Sequence, residues 1–185
     1  MKKLLLGATT LVLAIGFSGC AGNYEPVPNM AKLNVEITDS KWDGQTIPKG
    51  QECRVLGGKG FMPTFSISNI PKGTNAIILE MNDEDNQLLS NNGGHGKIGY
   101  WITTKSSTVT LPSVEGETTS NLPTNVFIET ASRSTNRYST NGFLPPCSGG
   151  RGHMYSLDVK AVYKAKNDDE KSKLLGTSHI KLGKY

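Results

Sequence analysis

Residues 76–85 read Ala-Ile-Ile-Leu-Glu-Met-Asn-Asp-Glu-Asp and contain the clearest structural signal in the chain. The short apolar run over 76–81 predicts a central β-strand that is buried on both faces. An acidic cluster follows at once, and its carboxylates are Asp83, Glu84 and Asp85. A strand that ends in carboxylates often presents them at a cleft, but the same residues also make an ordinary solvated turn. The residues alone favour the turn.

Further short strands are predicted on both sides of this run. Residues 32–38 alternate polar and apolar side chains with a period of two, and residues 154–163 do the same. Shorter strands are expected at 98–102, 108–111, 125–130 and 177–182, with Pro, Gly and Asn between them. One helix is predicted at 168–175, with Asn167 as its N-cap and Gly176 as its stop. This pattern predicts an all-β, antiparallel β-sandwich with a few short helices.

Two stretches are long for a minimal sandwich. Residues 82–97 and residues 131–152 have no strand pattern, and loops of this length are usually functional or disordered. Both lie beside the polar clusters of the chain, which favours a functional role.

The first 19 residues have the features of a bacterial lipoprotein signal peptide. Lys2 and Lys3 precede an apolar run over residues 4–17, which is too short to span a bilayer. The run ends in Phe17-Ser18-Gly19-Cys20, which resembles the lipobox. Cleavage is therefore expected before Cys20, with lipid attached to the Cys20 thiol. A plain secretory signal followed by an incidental cysteine is the alternative. Ala21 follows Cys20, so the expected location is the cell envelope, at the outer membrane facing the periplasm if the host is Gram-negative.

Residues 20–31 contain Pro26 and Pro28 among Gly, Asn and Glu, and they are predicted to form a flexible tether. Residues 32–185 are then the single domain. Removal of Lys2 and Lys3 with the signal lowers the formal net charge from +4 to +2. No basic stripe remains, so nucleic acid is not expected as a partner. The 19% charged content argues against a coiled coil or a helical bundle.

Cys53 and Cys147 remain after lipidation of Cys20. An even pair in an oxidising compartment predicts a disulfide, and two separate buried thiols are the alternative. The second polar cluster, Pro145 to Tyr155, places His153 and Tyr155 two residues apart, on one face of a strand. The three histidines have no metal-binding spacing, and no serine lies in a nucleophile motif, so no metal, cofactor or enzymatic activity is predicted.

Seven motifs in order resemble the bacterial branch of the phosphatidylethanolamine-binding protein family, also called Raf-kinase-inhibitor-like proteins. The motifs are residues 40–48, Met62-Pro63, residues 70–74, Asp83-Glu84-Asp85, Pro146-Cys147, residues 152–155 and residues 182–185. The resemblance implies a large antiparallel β-sandwich with a small anion pocket at one sheet edge. It also implies the residues of that pocket, which are Asp83, Asp85, Pro146, His153 and Tyr155.

The sequence departs from the family pattern at two places near the expected pocket. Glu84 stands where the family has proline, and Tyr100-Trp101 stands where it has a His-Trp pair. Tyr100 is therefore a candidate ligand residue. His95, on the Gly-rich loop, is the candidate to replace the missing histidine.

These observations predict a lipid-anchored, non-catalytic envelope protein that binds a small anion such as phosphate or a phospholipid headgroup. The alternative is an interaction or inhibitor module that contacts an envelope protein or protease through residues 131–152. A hydrolase with His153 as base and Asp83 as its orienter has the least support.

Overall fold

The computed structural model describes residues 24–103, 105–167 and 169–185. These residues form eleven strands and two short 3-10 helices. The strands are β1 Glu25–Lys32, β2 Asn34–Ile37, β3 Phe61–Met62, β4 Phe65–Ser68, β5 Ala76–Asp83, β6 Gly96–Trp101, β7 Thr108–Leu111, β8 Val114–Glu115, β9 Val126–Thr130, β10 Met154–Tyr163 and β11 Lys173–Lys184. The 3-10 helices are Arg54–Leu56 and Asn136–Tyr138.

The strands form one large sheet and two smaller ones. The large sheet has the order β1-β11-β10-β5-β6-β9, and the second sheet has the order β2-β4-β7. The strands β3 and β8 form a separate ribbon. Every pairing is antiparallel except that of β1 with β11, which is parallel. The predicted mainly antiparallel β fold is therefore confirmed, with one parallel strand at its edge.

The main core lies between the two larger sheets. Ile77 and Leu79 of β5 pack in one cluster with Phe65 and Ile67 of β4, and all four side chains are fully buried. Ala76 and Ile78 point to the other face of β5 and pack with Tyr24 and other apolar side chains. The prediction that this strand is buried on both faces is confirmed.

The outer face of the large sheet also holds a buried charge. Glu80 has a side chain that is 2% exposed, and its carboxylate lies 3.0 Å from Lys97 Nζ and 2.8 Å from Lys160 Nζ. The two lysines lie on the neighbouring strands β6 and β10, and their own side chains are mostly buried. This ion pair network takes the place of an apolar cover on that face.

The predicted helix at 168–175 is wrong. Residues 164–172 connect β10 to β11, and Lys173 and Leu174 already pair with Tyr163 and Val162 of β10. The helical signals were local, and pairing of this segment with two neighbouring strands outweighs a propensity of a few tenths of a kcal/mol per residue. The last strand is consequently longer than the predicted 177–182.

The predicted tether over 20–31 also differs from the structure. Residues 25–32 form β1, in which Pro26 pairs opposite Leu174, and Ala31 pairs opposite Gly176 across an irregularity in the register. Both prolines are tolerated because β1 is an edge strand. The predicted signal peptide and the lipidation site Cys20 lie outside the described residues. Within those residues, no helix is long and apolar enough to cross a membrane.

The predicted disulfide between Cys53 and Cys147 is confirmed. The two Cα atoms are 5.4 Å apart, and the bond joins residues that are 94 positions apart in the sequence. The Cys53 N–H also donates to the Pro146 carbonyl at 3.0 Å. The bond therefore fixes one end of the long loop 131–152 to the segment around the first 3-10 helix.

Candidate functional site

The acidic cluster after β5 divides into one buried carboxylate and two exposed ones. Asp83 ends β5 opposite Tyr155 of β10, and its side chain is 3% exposed. Glu84 and Asp85 are exposed, and the Asp85 carboxylate accepts the Met154 N–H at 2.7 Å. The predicted solvated turn therefore holds for Glu84 and Asp85 only. Asp83 is buried and lines a cavity.

Asp83 holds His153 in place. The His153 Nδ1 atom lies 2.9 Å and 3.0 Å from the two carboxylate oxygens, so Nδ1–H donates to Asp83. The backbone of His153 is fixed independently by two hydrogen bonds with Tyr185, each of 3.0 Å. The imidazole is 19% exposed, and its remaining nitrogen, Nε2, is the atom free to contact a ligand.

The structure places His95 in the same cavity, as the sequence analysis proposed for the missing histidine. Its Nδ1–H donates to the Leu144 carbonyl at 2.8 Å, which leaves Nε2 as a bare acceptor. Nε2 lies 4.0 Å from Asp83 Oδ2 and has no hydrogen-bond partner, although the side chain is only 1% exposed. Burial lowers the pKa of His95, and this effect exceeds the opposing influence of the Leu144 carbonyl and Asp83.

The Gly-rich loop brings His95 to this position. The Asn82 side chain accepts the N–H groups of Gly93 and Gly94 at 2.9 Å and 3.3 Å. A Cβ atom on Gly94 would lie 2.3 Å from the Leu89 backbone, so the close approach of the two loop segments requires glycine there. The compact loop then delivers His95 to the start of β6.

Tyr155 supports the site from behind and does not line the cavity. Its hydroxyl accepts the Cys147 N–H at 3.0 Å, and its ring packs edge-on against His95 with the centroids 5.3 Å apart. Burial raises the pKa of Tyr155 to about 12. Tyr155 therefore positions His95 and the disulfide loop, whereas the sequence analysis expected it to contact the anion.

These groups surround a small cavity of about 120 Å³. Its lining residues are Asp83, Asn86, Leu89, His95, Ser134, Tyr138, Leu144, Cys147, Ser148, Arg151 and His153. Cys147 and Ser148 come from the loop that the disulfide holds, and Arg151 adds a positive charge. Both long loops of the sequence analysis contribute to the wall.

Besides Tyr155, three expected residues do not line this cavity. Tyr100 lies in the core between the sheets, and its hydroxyl donates to the Pro112 carbonyl at 3.3 Å. Asp85 binds backbone outside the cavity, and Pro146 is a buried neighbour of Cys147. Tyr100 therefore contributes to the core, whereas His95 lines the cavity.

Sequence reasoning missed the wall formed by Asn86, Leu89, Ser134 and Tyr138. These residues have no motif of their own, and the only available signal was the unusual length of the two loops. No group of three or more His, Cys, Asp or Glu side chains in the described part of the chain is arranged to hold a metal ion. A larger cavity of about 520 Å³ lies at the opposite end of β5, beside Lys72 and Lys105, and contains none of the predicted site residues.

Comparison of the sequence with protein-family models and with curated proteins finds no match. Among solved structures, YbcL of Escherichia coli, described as a member of the mammalian phosphatidylethanolamine-binding protein family, is similar at a TM-score of 0.53 and 19% identity. The alignment covers 84% of this chain and 98% of YbcL. A homologue of that family from Chlamydia trachomatis, CT736, aligns at a TM-score of 0.48 and 20% identity, over 83% of this chain and 97% of its own.

The similarity to YbcL extends over most of the chain. The fold of this chain is therefore that of the phosphatidylethanolamine-binding protein family.

Proposed function

We propose that this protein is a lipid-anchored, non-catalytic binding protein of the bacterial envelope that takes a small anion into the cavity between His95 and His153. The observation that carries the proposal is the buried Nε2 atom of His95, an acceptor without a hydrogen-bond partner on a residue that lines the cavity, which the P–OH group of a protonated phosphate would satisfy. A buried polar atom without a partner costs roughly 1–3 kcal/mol, so a ligand or an ordered water is needed to satisfy it.

The charges around the cavity favour an anion. Asp83 carries the negative charge of the site, and the hydrogen bonds from His153 Nδ1 occupy it. When His153 is protonated, its Nε2–H supplies a charge-assisted hydrogen bond to the ligand, and Arg151 adds a second cation at the cavity wall. Asp83 thus orients His153.

The hydroxyl groups near the histidines support binding rather than chemistry. Ser148 lines the cavity, but its hydroxyl donates to the main-chain oxygen of Tyr185 at 2.7 Å. It makes no hydrogen bond with either histidine, so it lacks the base that an activated serine needs.

The proposed lipid anchor rests on the lipobox-like residues 17–20. Membrane fractionation of a Cys20→Ser variant tests it, and an unchanged membrane-bound pool would exclude it.

Calorimetric titration of the purified domain with inorganic phosphate tests the binding proposal. We expect His153→Ala to weaken phosphate binding at least about tenfold, because it removes the charged donor. His179→Ala is the matched control, since His179 is an exposed histidine of β11 that does not line the cavity and pairs with Asp158 at 2.8 Å and with Glu84 at 3.3 Å. Equal phosphate affinity in the wild type and in folded His153→Ala protein would refute the proposal.

A further inference from the structure

The histidine cavity continues into a second cleft of about 210 Å³. The two spaces share the side chains of Asn86, Leu89, Ser134 and Tyr138. The second cleft adds Leu88, Arg133, Thr135 and Asn136. A ligand with its anionic group between the histidines therefore has room to extend past Tyr138.

One side chain joins the two loops that form the walls of this cleft. The Arg133 guanidinium makes four hydrogen bonds to main-chain carbonyls, two to Leu88 and one each to Asn91 and Asn92. Their lengths are 2.7–3.3 Å. The Arg133 backbone N–H also donates to the Gly94 carbonyl at 2.9 Å. The clamp joins the loop after β5 to the loop after β9, so the cleft is formed before any ligand arrives.

The lining of the cleft is suited to a hydroxylated carbon skeleton. Ser134, Thr135, Asn86 and Asn136 offer hydroxyl and amide groups, and the Tyr138 ring offers a flat apolar surface. The Ser134 hydroxyl has no hydrogen-bond partner among the described residues. Leu88, whose side chain is exposed, forms part of the rim.

The bare Nε2 atom of His95 restricts the anionic group. Since Nδ1–H is committed to Leu144, Nε2 accepts and does not donate. A phosphate monoester in its monoanionic form has a P–OH group that donates to such an acceptor, whereas a phosphodiester has none. The site therefore prefers a ligand whose phosphate carries a P–OH group, in addition to one whose shape fits.

We propose that the natural ligand is a phosphate monoester of a small polyol, with its phosphate between His95 and His153 and its hydroxylated carbon chain in the cleft beside Tyr138. This inference rests on the proposed anion-binding function and specifies its ligand class. It separates a water-soluble monoester from the diester of a phospholipid headgroup, which shares the phosphate chemistry.

Calorimetric titrations with inorganic phosphate, glycerol 3-phosphate and glycerophosphoethanolamine test the inference at pH 6.5. We expect glycerol 3-phosphate to bind at least about tenfold more tightly than phosphate, through the added contacts of the cleft. Glycerophosphoethanolamine, a diester, is expected to bind more weakly than glycerol 3-phosphate. Thr135→Ala, at a residue that lines the second cleft and not the histidine cavity, should reduce the advantage of glycerol 3-phosphate and leave phosphate binding within about twofold.

The control is Tyr163→Ala, at the far end of β10, which should leave all three affinities unchanged. Equal binding of phosphate and glycerol 3-phosphate would overturn the inference while leaving the anion site intact. Tighter binding of the diester would overturn it in favour of a lipid headgroup. Absence of binding by all three ligands would refute the proposed function, and the inference with it.

Discussion

His95 and His153 show how the surroundings give one residue type two roles. His153 is partly exposed and donates its Nδ1–H to the Asp83 carboxylate. His95 is almost fully buried, and burial favours its neutral form. The site thus combines a histidine that a carboxylate orients with a buried histidine whose Nε2 is an acceptor.

The lowered pKa of His95 predicts a specific loss of stability in acid. Below the unfolded-state pKa of about 6.5, the unfolded chain binds a proton that native His95 does not. The free energy of unfolding therefore decreases as the pH is lowered, until the pH reaches the native pKa. This contribution amounts to at most about 1.4 kcal/mol per pH unit. Urea unfolding at pH 7.5, 6.5 and 5.5 measures it.

The His95→Asn variant isolates this contribution, because asparagine keeps a donor for the Leu144 carbonyl but does not titrate. We expect the variant to lose less stability than the wild type between pH 6.5 and 5.5. Parallel pH profiles for the two proteins would contradict the assignment of the acid loss to His95.

At the scale of elements, the antiparallel pair β5 and β10 is the frame of the site. Tyr155 lies opposite Asp83, so the frame places the carboxylate and the ring that supports His95 side by side. The strands β6 and β9 extend the sheet beside this pair and pack closely against each other. On β6, Gly99 lies beneath the Phe127 ring of β9, and a Cβ atom on Gly99 would lie 2.1 Å from that ring.

This packing predicts that Gly99→Ala has opposite effects on stability in the wild type and in a Phe127→Ala background. Gly99→Ala should destabilise the wild type by about 1–3 kcal/mol, because the added methyl group displaces a packed ring. In a Phe127→Ala background the same substitution should stabilise the protein by about 0.5 kcal/mol, since alanine is preferred to glycine inside a strand. A double-mutant cycle by urea unfolding measures the coupling, and additive effects would show that the ring does not require Gly99.

At the scale of the whole molecule, β1 determines where the proposed anchor leaves the domain. Glu25 pairs opposite Lys173, one row beyond the pairing of Val162 with Ala76. Asp83 lies seven residues further along β5, at about 3.3 Å per residue, so the site is about 23 Å from this end. Four residue steps separate Cys20 from Tyr24, and they span at most about 14 Å.

A lipid on Cys20 therefore predicts that the cavity does not face the membrane that holds the protein. Fluorophores attached at Lys72→Cys, near the anchored end, and at Arg137→Cys, beside the cavity, report the orientation in vesicles that contain a quencher lipid. We expect strong quenching at position 72 and weak quenching at position 137. Stronger quenching at position 137 would mean that the cavity faces the bilayer.

Local patterns in the sequence were sufficient for much of the fold. The bounds predicted for β10 agree with the structure, and the apolar run of β5 indicated its burial on both faces, because side chains alternate across a strand whatever its partners are. The cysteine count indicated the disulfide, and the short motifs that carry the family resemblance implied Asp83 and His153 as two members of the site. These features depend on residues within a few positions of each other, or on composition.

The remaining features depend on contacts between distant segments, which no local pattern records. The strand β1 has two prolines and an interrupted register, and the segment before β11 has helical signals, yet both pair in the large sheet. His95 reaches Asp83 only because Arg133 clamps its loop and Leu144 binds its ring. The local sequence encodes which faces of the strands are buried, whereas the long-range closure of loops decides which side chains share a cavity, because that free energy is gained only when the whole chain has folded.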